Sequence, residues 1–416
     1  KTYDYLSYIT PTVGGEQFMG MVGHLIANYV VNFIEEPETM QTDMKEISPQ
    51  VMVYISRMWE SLISTMRMKI NDSGFLKRLS YNLFLPVGYK LADLKEAKKK
   101  PNLVWQALYQ LAYLTVFRPL CDKHGLARIK MAYTSGTGMS PQSFRLLRGI
   151  GLNLKQMYGS NEAGLLAIHR DDDVKFETVG PPLPNIELKI SDEGEVLVRT
   201  RSLMPGYYNN PEASQETLRG GWFHTGDAGY LNEEGHLIIV GRLGQLSELP
   251  DGQRYSPQYI EQSLRFNLYI REAMVIGGVE GKPYVTAIIN VDFDITGKWA
   301  ETHHLSYTTL VDLSQKEEVN ELVYKGVEWV NRLLPLGARI KRYVVLHKEF
   351  DPDEAELTRT GKIRRGFMIE QYQGLIDAMY RGEKEVVAEA KVRYRDGRSG
   401  KVTVPIKIRS VKEEAG

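Results

Sequence analysis

A strand, a loop, a helix and a second strand follow one another in the middle of the chain, and this alternation constrains the fold most. Ile129 to Thr134 predicts a strand, Ser135 to Ser140 a loop of small residues, and Pro141 to Gly149 a helix. Leu152 to Met157 predicts the next strand, so the fold class is α/β. Open α/β sheets bind ligands at the carboxyl ends of their strands. The loop after the first strand and the segment Tyr158 to Glu162 are therefore candidate binding segments.

The size and charge of the chain limit the classes of function. With 416 residues, 43% of them hydrophobic and 25% charged, it can bury a large core and should form two or three domains. Lysine plus arginine equals aspartate plus glutamate at 52 each, so no whole-molecule field draws the protein to nucleic acid. We therefore expect no nucleic-acid partner, and any polyanion must be bound by a local site.

Cysteine usage and hydropathy indicate a cytoplasmic protein. The single cysteine, Cys121, can form no intramolecular disulfide and has no catalytic signature around it, so we expect a buried spectator thiol. Three polar residues interrupt the longest apolar stretch, Met21 to Phe33, and no segment approaches the roughly 18 to 20 apolar residues of a membrane span. The sequence starts at Lys1 and shows no basic leader followed by an apolar stretch.

The segment from Ser48 to Arg128 is predicted to be mainly helical. Apolar residues recur within it mostly at spacings of three and four, and we expect this stripe to be core rather than a ligand pocket. Its members are Trp105, Leu108, Tyr109, Ala112, Val116 and Phe117. Lys95 to Lys100 contains four lysines in six positions, which indicates a solvated face or loop, with peripheral contact to a membrane as the alternative.

A change of pattern after the α/β region indicates two further parts of the chain. Short strands and turns between about 180 and 240 predict a β-rich subdomain. Beyond Gly241-Arg242, a predicted helix at Ser256 to Leu264 and strands at Ala273 to Ile276 and Tyr284 to Asn290 indicate a separate α+β unit. We expect an N-terminal domain over residues 1–242 and a C-terminal domain over residues 243–416.

Four short polar segments together predict a nucleotide site. They are Tyr158 to Glu162, Trp222 to Asp227, Gly241-Arg242, and Thr360 to Arg365. They contain a carboxylate suited to a metal ion, a second one suited to ribose hydroxyls, an arginine, and a glycine-flanked lysine. These are the groups needed to bind ATP and to activate an acid.

The same segments resemble the adenylate-forming superfamily, and most of all its long-chain fatty acid–CoA ligases. Tyr158 to Glu162 is similar to the family's YGxTE, Met204 to Glu212 to M-x-GYxxNPE, and Trp222 to Asp227 to WxxTGD. Gly241-Arg242 resembles the GR before the hinge, and Thr360 to Arg365 resembles SGKIxRR. The resemblance implies a large N-terminal α/β region with a β-rich subdomain, followed by a small mobile α+β domain.

The resemblance also implies roles for individual residues. Tyr158 would stack on adenine, and Glu162 would coordinate Mg²⁺, a cation that favours carboxylate oxygen. Asp227 would accept hydrogen bonds from the ribose hydroxyls, with Arg242 beside it. Lys362 would reach the α-phosphate and the carboxylate, so Lys362 and Glu162 are the catalytic candidates. The remaining candidate cofactor-binding positions are Gly136, Thr137, Gly159, Ser160, Asn161 and Gly252.

A second half-reaction with coenzyme A is implied as well. In the family the C-terminal domain rotates about the hinge, and the thiol of coenzyme A then replaces AMP. Leu249 to Pro257 resembles the loop that lines the pantetheine tunnel, where Gly252 would let the backbone approach closely. The implied cofactors are therefore ATP, Mg²⁺ and coenzyme A.

Plainer interpretations stand beside these roles. Asp227 could be a turn former in Thr-Gly-Asp, and Gly361-Lys362 an exposed basic loop. His224 has no second histidine or cysteine at ligand spacing, so a structural role is favoured over metal binding. His303-His304 is expected to be a surface pair. The segment 135–138 is not a Walker loop, since the chain contains no G-x-x-x-x-G-K-[ST].

Three departures from the family pattern bear on the implied residue roles and on domain rotation. The phosphate loop TSGTTGxPK is absent from this sequence, so we expect it in a longer polypeptide of which this is a part. Asn161 occupies the position of a threonine that contacts phosphate, and Gly244-Gln245 replaces the charged hinge residues.

The predicted function is ATP-dependent activation of a long-chain fatty acid and transfer to coenzyme A, with release of AMP and pyrophosphate. One alternative is a nucleotide or acyl-CoA binding module without turnover. The other is an aryl or amino-acid activating ligase. The helical segment between Ser48 and Arg128 resembles that of long-chain synthetases. The resemblance implies that its aromatic residues could wall an extended apolar channel, which favours the long-chain acid.

Overall fold

The computed structural model describes residues 2–136, 139–278, 281–351, 355–358, 363–393 and 399–412. The chain forms two compact units, Lys1–Gly244 and Gln245–Gly416. Thr137 and Lys362, two of the candidate site residues, lie outside the described residues.

The N-terminal unit contains a six-stranded sheet with the order β2-β1-β3-β4-β5-β6. Its strands are β1 (Asp4–Ser7), β2 (Val30–Phe33), β3 (Val51–Ile55), β4 (Met131–Ser135), β5 (Leu154–Ser160) and β6 (Gly164–Ile168). Neighbouring strands are parallel except β6, which runs antiparallel to β5. The predicted α/β sheet is confirmed, with both predicted strands displaced by about two residues toward the C-terminus.

Helices connect these strands. They are α1 (Gly14–Glu16), α2 (His24–Ala27), α3 (Met40–Ile47), α4 (Ser56–Asn71), α5 (Phe75–Glu96), α6 (Leu103–Ala112), α7 (Arg118–Asp122) and α8 (Pro141–Gly149). π-helical segments Gln17–Gly23 and Tyr113–Phe117 join α1 to α2 and α6 to α7. Helix α8 begins where predicted because the Ser140 hydroxyl accepts the Ser143 N–H at 3.2 Å and Pro141 occupies the first turn.

The segment from Ser48 to Arg128 is helical except at its start. Strand β3 is a continuous apolar run whose first four residues are buried, and such a run does not reveal its period. The predicted apolar stripe is core only in part, since Ala112 and Phe117 are buried while Leu108 is exposed. Cys121 is a buried free thiol as expected, and burial raises its pKa to about 12.

The core of the N-terminal unit lies between the sheet and its helices. Trp59, Phe117 and Phe144 are fully buried there. Helix α5 packs closely on α8 because both have a glycine at the contact. A Cβ on Gly88 would lie only 2.8 Å from the carbonyl oxygen of Gly149.

A second, antiparallel sheet of the same unit has the order β11-β10-β8-β7. Its strands are β7 (Glu187–Ile190), β8 (Glu195–Arg199), β10 (Trp222–Leu231) and β11 (Leu237–Arg242). The short strand β9 (Leu218–Arg219) pairs with β10, and helix α9 (Pro211–Thr217) precedes β9. Strands β10 and β11 place Asp227 opposite Arg242.

The C-terminal unit is α+β. Its five-stranded sheet has the order β14-β15-β16-β18-β17. These strands are β14 (Ile270–Ile276), β15 (Val285–Val291), β16 (Ile340–Val345), β17 (Glu385–Arg393) and β18 (Ser399–Ser410). Strands β12 (Ser247–Glu248) and β13 (Arg254–Tyr255) form a separate two-stranded sheet. The helices are α10 (Pro257–Arg265), α11 (Phe293–Thr302), α12 (Leu310–Gln315), α13 (Glu317–Leu333), α14 (Arg365–Gln371) and α15 (Gln373–Arg381). Across the described ranges, no helix combines the length and apolarity that crossing a membrane requires.

Candidate active site

A tyrosine and an aspartate join the two sheets of the N-terminal unit. Tyr158 lies near the end of β5, and its hydroxyl donates to Oδ2 of Asp227 on β10 over 2.7 Å. Burial, and next the charge of Asp227, raise the pKa of Tyr158, so its hydroxyl stays protonated and acts as a donor. The structure therefore brings together two of the predicted nucleotide-binding residues.

Arg242 completes this arrangement from the neighbouring strand. Its Nε lies 3.2 Å from Oδ1 of Asp227, and its Nη1 donates to the carbonyl of Thr225 at 2.9 Å. The guanidinium thus holds both ends of the Thr-Gly-Asp turn. Each carboxylate oxygen of Asp227 has one of these two partners, and each has a further lone pair that can accept a ligand hydroxyl.

The turn itself has a special backbone conformation. Gly226 has a φ of +68°, in the left-handed region that side chains other than glycine rarely adopt. The buried carboxylate of Glu195 accepts the Gly226 N–H at 2.9 Å, and the Thr225 hydroxyl donates to the carbonyl of Val196 at 2.7 Å. The Asp227 carboxylate is therefore held in place from the neighbouring strand β8.

Burial raises the pKa of Asp227, while the hydrogen bond from Tyr158 and the charge of Arg242 oppose that rise. The charge of Glu162 adds to the rise. Because Glu162 raises this pKa and Arg242 lowers the pKa of both carboxyl groups, the three charges act on one another. One electrostatic environment therefore contains both predicted carboxylates and the predicted arginine.

Glu162 is half-buried after the end of β5, and Tyr207 donates its hydroxyl to Oε1 of Glu162 at 2.9 Å. Burial raises the pKa of Glu162. Hydrogen bonds from its own backbone, Tyr207 and Ser160, together with the charge of Arg242, outweigh that effect, and the pKa lies below its ordinary value. Glu162 is therefore an ionised carboxylate at neutral pH. Sequence analysis did not identify Tyr207 as its partner, although Tyr207 lies within the GYxxNPE-like segment.

The donor set fits Mg²⁺ held largely by a substrate. In the described part of the chain, no three or more His, Cys, Asp or Glu side chains form a group that could hold a metal ion. Mg²⁺ commonly binds one or two carboxylates together with substrate phosphates and water. The ionised Glu162 can supply one such carboxylate.

Asn161 makes a connection that sequence analysis did not anticipate. Its Oδ1 accepts the Gly14 N–H at 2.8 Å, and its Nδ2 donates to the carbonyl of Thr12 at 3.2 Å. Both ends of the amide thus bind the backbone at the start of α1, and the predicted contact with phosphate stays a prediction. No local sequence signal could reveal a pair separated by 147 positions.

Two other predicted positions shape the same turn. A Cβ on Gly159 would lie 2.3 Å from the carbonyl oxygen of Gly164, so only glycine fits between β5 and β6. The Ser160 hydroxyl accepts the Ala163 N–H at 3.3 Å. Packing and turn formation thus account for both residues, and ligand contact by either stays a prediction.

Gly136 and Gly252 are both turn glycines with a positive φ, +90° and +84°. A Cβ on either would meet no described atom within 4 Å. Gly136 follows β4 in the N-terminal unit. Gly252 belongs to the C-terminal unit, in the turn between β12 and β13, where its N–H donates to the carbonyl of Leu249 at 2.9 Å. Open space beside both glycines is compatible with close approach of a ligand.

The residues that flank Lys362 are well anchored within the C-terminal unit. Arg364 donates its backbone N–H to the carbonyl of Glu356 at 2.9 Å. Arg365 pairs with the buried carboxylate of Glu261, with Nη2 and Oε1 2.5 Å apart. Arg364 and Arg365 follow Lys362 by two and three positions in the chain.

The histidines considered in the sequence contact neighbouring side chains or lie at the surface. His224 places Nδ1 2.8 Å from Oε2 of Glu195, and Arg219 donates to its other ring nitrogen at 3.3 Å. This agrees with the structural role favoured from the sequence. His303 and His304 are exposed, as expected of a surface pair.

Comparison with known proteins identifies the class. A family model described as AMP-binding enzyme matches residues 3–208, and one described as AMP-binding enzyme C-terminal domain matches residues 248–384. Together they match most of the chain. The chain therefore belongs to the adenylate-forming superfamily of AMP-binding enzymes.

The curated relatives include proteins named long-chain fatty acid–CoA ligase or long-chain acyl-CoA synthetase. The long-chain-fatty-acid–CoA ligase FadD15 of Mycobacterium tuberculosis is 28% identical over 357 residues, which are 85% of this chain and 58% of that protein. Long chain acyl-CoA synthetase 1 of Arabidopsis thaliana is 26% identical over 370 residues, with 82% of this chain and 53% of that protein covered. The chain thus spans little more than half the length of these relatives.

Solved structures confirm the fold. The adenylation domain of a carboxylate reductase from Mycobacterium chelonae superposes with a TM-score of 0.64 at 15% identity, covering 91% of this chain and 54% of that one. The A domain of a carboxylic acid reductase from Segniliparus rugosus, in complex with AMP and a carboxylic acid, gives 0.59 at 17% identity, covering 91% and 55%. The predicted adenylate-forming fold is therefore correct.

Proposed function

We propose that the chain is part of an enzyme that activates a long-chain fatty acid with ATP and transfers the acyl group to coenzyme A. AMP and pyrophosphate are the other products. The observation that carries the proposal is the hydrogen-bonded Tyr158–Asp227–Arg242 group, with the ionised Glu162 in the same electrostatic environment. The names of the curated relatives support a fatty acid as the substrate.

The N-terminal unit would bind the nucleotide. Oδ1 and Oδ2 of Asp227 would accept the two ribose hydroxyls, since its contacts with Tyr158 and Arg242 fix the carboxylate and leave lone pairs for a ligand. The Tyr158 ring, held by its hydroxyl, would stack on adenine. Glu162 would hold Mg²⁺, which when bound neutralises phosphate charge as the acyl-adenylate forms. Positioning and electrostatics, rather than a covalent nucleophile, would lower the barrier.

We propose that residues 1–242 act as the adenylation domain and residues 243–416 as the mobile C-terminal domain. Lys362 would supply positive charge during adenylation, and the turn with Gly252 would contact coenzyme A in the second half-reaction. The contacts of Arg364 with Glu356 and of Arg365 with Glu261, which anchor the residues that follow Lys362 in the chain, support this role.

Exchange of radioactive pyrophosphate into ATP, measured on the full-length protein with a long-chain fatty acid, tests this proposal. Lys362→Ala should lower the exchange rate by at least about 100-fold, because a preorganised positive charge is removed from the reacting groups. The matched control is Lys325→Ala on α13, an exposed lysine in the same unit, which should leave the rate unchanged. Unchanged exchange in Lys362→Ala would show that our role for this residue is wrong.

Two alternatives are separated by the same assay. A binding module without turnover would bind AMP but catalyse no exchange with any acid. An aryl or amino-acid activating ligase would exchange faster with aromatic or amino acids than with medium or long fatty acids.

A further inference from the structure

Helix α5 has two unlike faces. Its inner face packs against α8 and includes the buried Tyr81, Gly88 and Leu91. Its outer face has large apolar side chains at Leu76, Leu79 and Leu83, which are all exposed and lie three and four residues apart. This face therefore has an apolar stripe that the described residues leave exposed.

Helix α6 packs on α5 and has a second stripe of the same kind. Val104, Leu108 and Leu111 recur at spacings of four and three and are exposed. The fifteen residues from Leu103 to Phe117 include no charged side chain. Exposed apolar side chains that are grouped on a protein surface, rather than scattered singly, are typical of interaction sites. We call the two stripes of α5 and α6 the hairpin face.

The helical hairpin that carries these stripes has a surplus of positive charge. Residues 75–118 contain eight lysines and arginines but only two acidic residues, a surplus of six positive charges in a chain whose net charge is zero. Lys98 is paired with Asp173 at 2.8 Å, while Lys99 and Lys100 beside it are exposed. The basic residues are thus concentrated in the same hairpin as the exposed apolar side chains.

We propose that the hairpin face docks this protein on the surface of an anionic lipid bilayer. Apolar side chains of α5 and α6 would enter the boundary between headgroups and acyl chains, and the lysines would contact anionic headgroups. A second copy of the chain is a poorer partner, because a twofold contact would bring the same six-charge surplus together from both sides. The helices would lie along the membrane plane, since neither is long and apolar enough to span it.

Sedimentation with lipid vesicles tests the proposal on the full-length protein. Vesicles of phosphatidylcholine mixed with phosphatidylglycerol should bind it, and added salt should weaken the binding. Pure phosphatidylcholine should bind it much less. Lys100→Ala should weaken binding about fivefold, since one basic residue near an anionic surface contributes about 1 kcal/mol. Lys325→Ala, an exposed lysine in the C-terminal unit, should have no effect.

The apolar contribution needs its own pair of variants. Leu76→Glu should weaken vesicle binding at least about tenfold, because it removes an inserted side chain and adds a negative charge. Leu336→Glu is the matched control, since Leu76 is 75% and Leu336 74% exposed. It should bind like the wild type.

Three results would overturn the proposal. Equal binding to neutral and anionic vesicles would show that headgroup charge does not contribute to binding. Equal effects of Leu76→Glu and Leu336→Glu would show that the hairpin face does not contact the bilayer. A lower melting temperature in Leu76→Glu, or a change in its oligomeric state in light scattering, would mean that protein and not lipid covers this face. Because none of these readouts involves nucleotide or acyl transfer, their failure is independent of the proposed activity.

Discussion

Replacing Tyr158 with phenylalanine tests the hydrogen bond that joins the two sheets of the N-terminal unit. The hydroxyl lies 2.7 Å from Oδ2 of Asp227. Tyr158 is only 8% exposed, so water cannot readily replace the lost donor. A hydrogen bond to a charged group contributes about 1.5 to 3 kcal/mol. We therefore expect Tyr158→Phe to lower the free energy of unfolding by about 1.5 to 3 kcal/mol at neutral pH.

This loss should depend on pH because the acceptor is a carboxylate. Burial raises the pKa of Asp227 above its ordinary 3.8, and the Tyr158 hydrogen bond opposes the rise. Removing the hydroxyl therefore raises the pKa of Asp227 further. An acid whose pKa is raised on folding destabilises the fold once it ionises. The loss caused by Tyr158→Phe should thus be larger at pH 7 than below pH 3.8, where the carboxyl is protonated in both states.

Urea unfolding followed by circular dichroism at both pH values measures the effect. Tyr208→Phe is the control, because Tyr208 is 93% exposed and its free energy of unfolding should change by no more than about 0.5 kcal/mol. The hydrogen bond to an ionised Asp227 would be refuted if the two variants had the same free energy of unfolding at both pH values. It would also be refuted if Tyr158→Phe lowered the free energy of unfolding more in acid than at pH 7.

Three other buried positions predict effects of different kinds. Gly88→Ala should lower the free energy of unfolding in urea by about 1 to 3 kcal/mol, since its Cβ would lie 2.8 Å from the carbonyl oxygen of Gly149; an unchanged value would contradict the close contact. Burial lowers the pKa of His169 from 6.5 to about 3. The free energy of unfolding should therefore fall as the pH drops from 6.5 toward 3, by up to about 1.4 kcal/mol per pH unit. This dependence on pH should be weaker in His169→Gln. Glu261→Gln should slow pyrophosphate exchange about 10- to 100-fold in the full-length protein, while AMP affinity measured by calorimetry stays unchanged; weaker AMP binding would contradict a role confined to positioning the segment of Lys362.

Elements whose formation depends on neighbouring residues could be predicted from the sequence. The helix that begins at Pro141 has its cap at Ser140 and its proline in the first turn, and both features can be recognised from the sequence. The turn at Gly226 likewise combines glycine with a hydroxyl and a carboxylate that favour turns. Strand β3 was included in a predicted helical region because a short, continuous apolar run has no visible period.

Contacts between distant segments could not be predicted from one sequence. Asn161 was interpreted by its place in a motif, but its amide binds Thr12 and Gly14. The hydroxyl of Tyr207 reaches Glu162 across 45 positions, and Glu195 supports the turn of Gly226 from another strand. These pairings depend on how β5, β8 and β10 are arranged, which no periodicity of the residues encodes. The exposed outer face of α6 shows the same limit, because a helical stripe does not reveal what covers it.

Calorimetric titration of AMP into the wild-type chain and into Asp227→Ala tests the central claim most directly. If Asp227 accepts the ribose hydroxyls, the wild type should bind AMP and the variant should bind it about 10- to 100-fold more weakly, as expected for hydrogen bonds to a charged group. Equal dissociation constants for the two proteins would place the nucleotide elsewhere and contradict the proposed site.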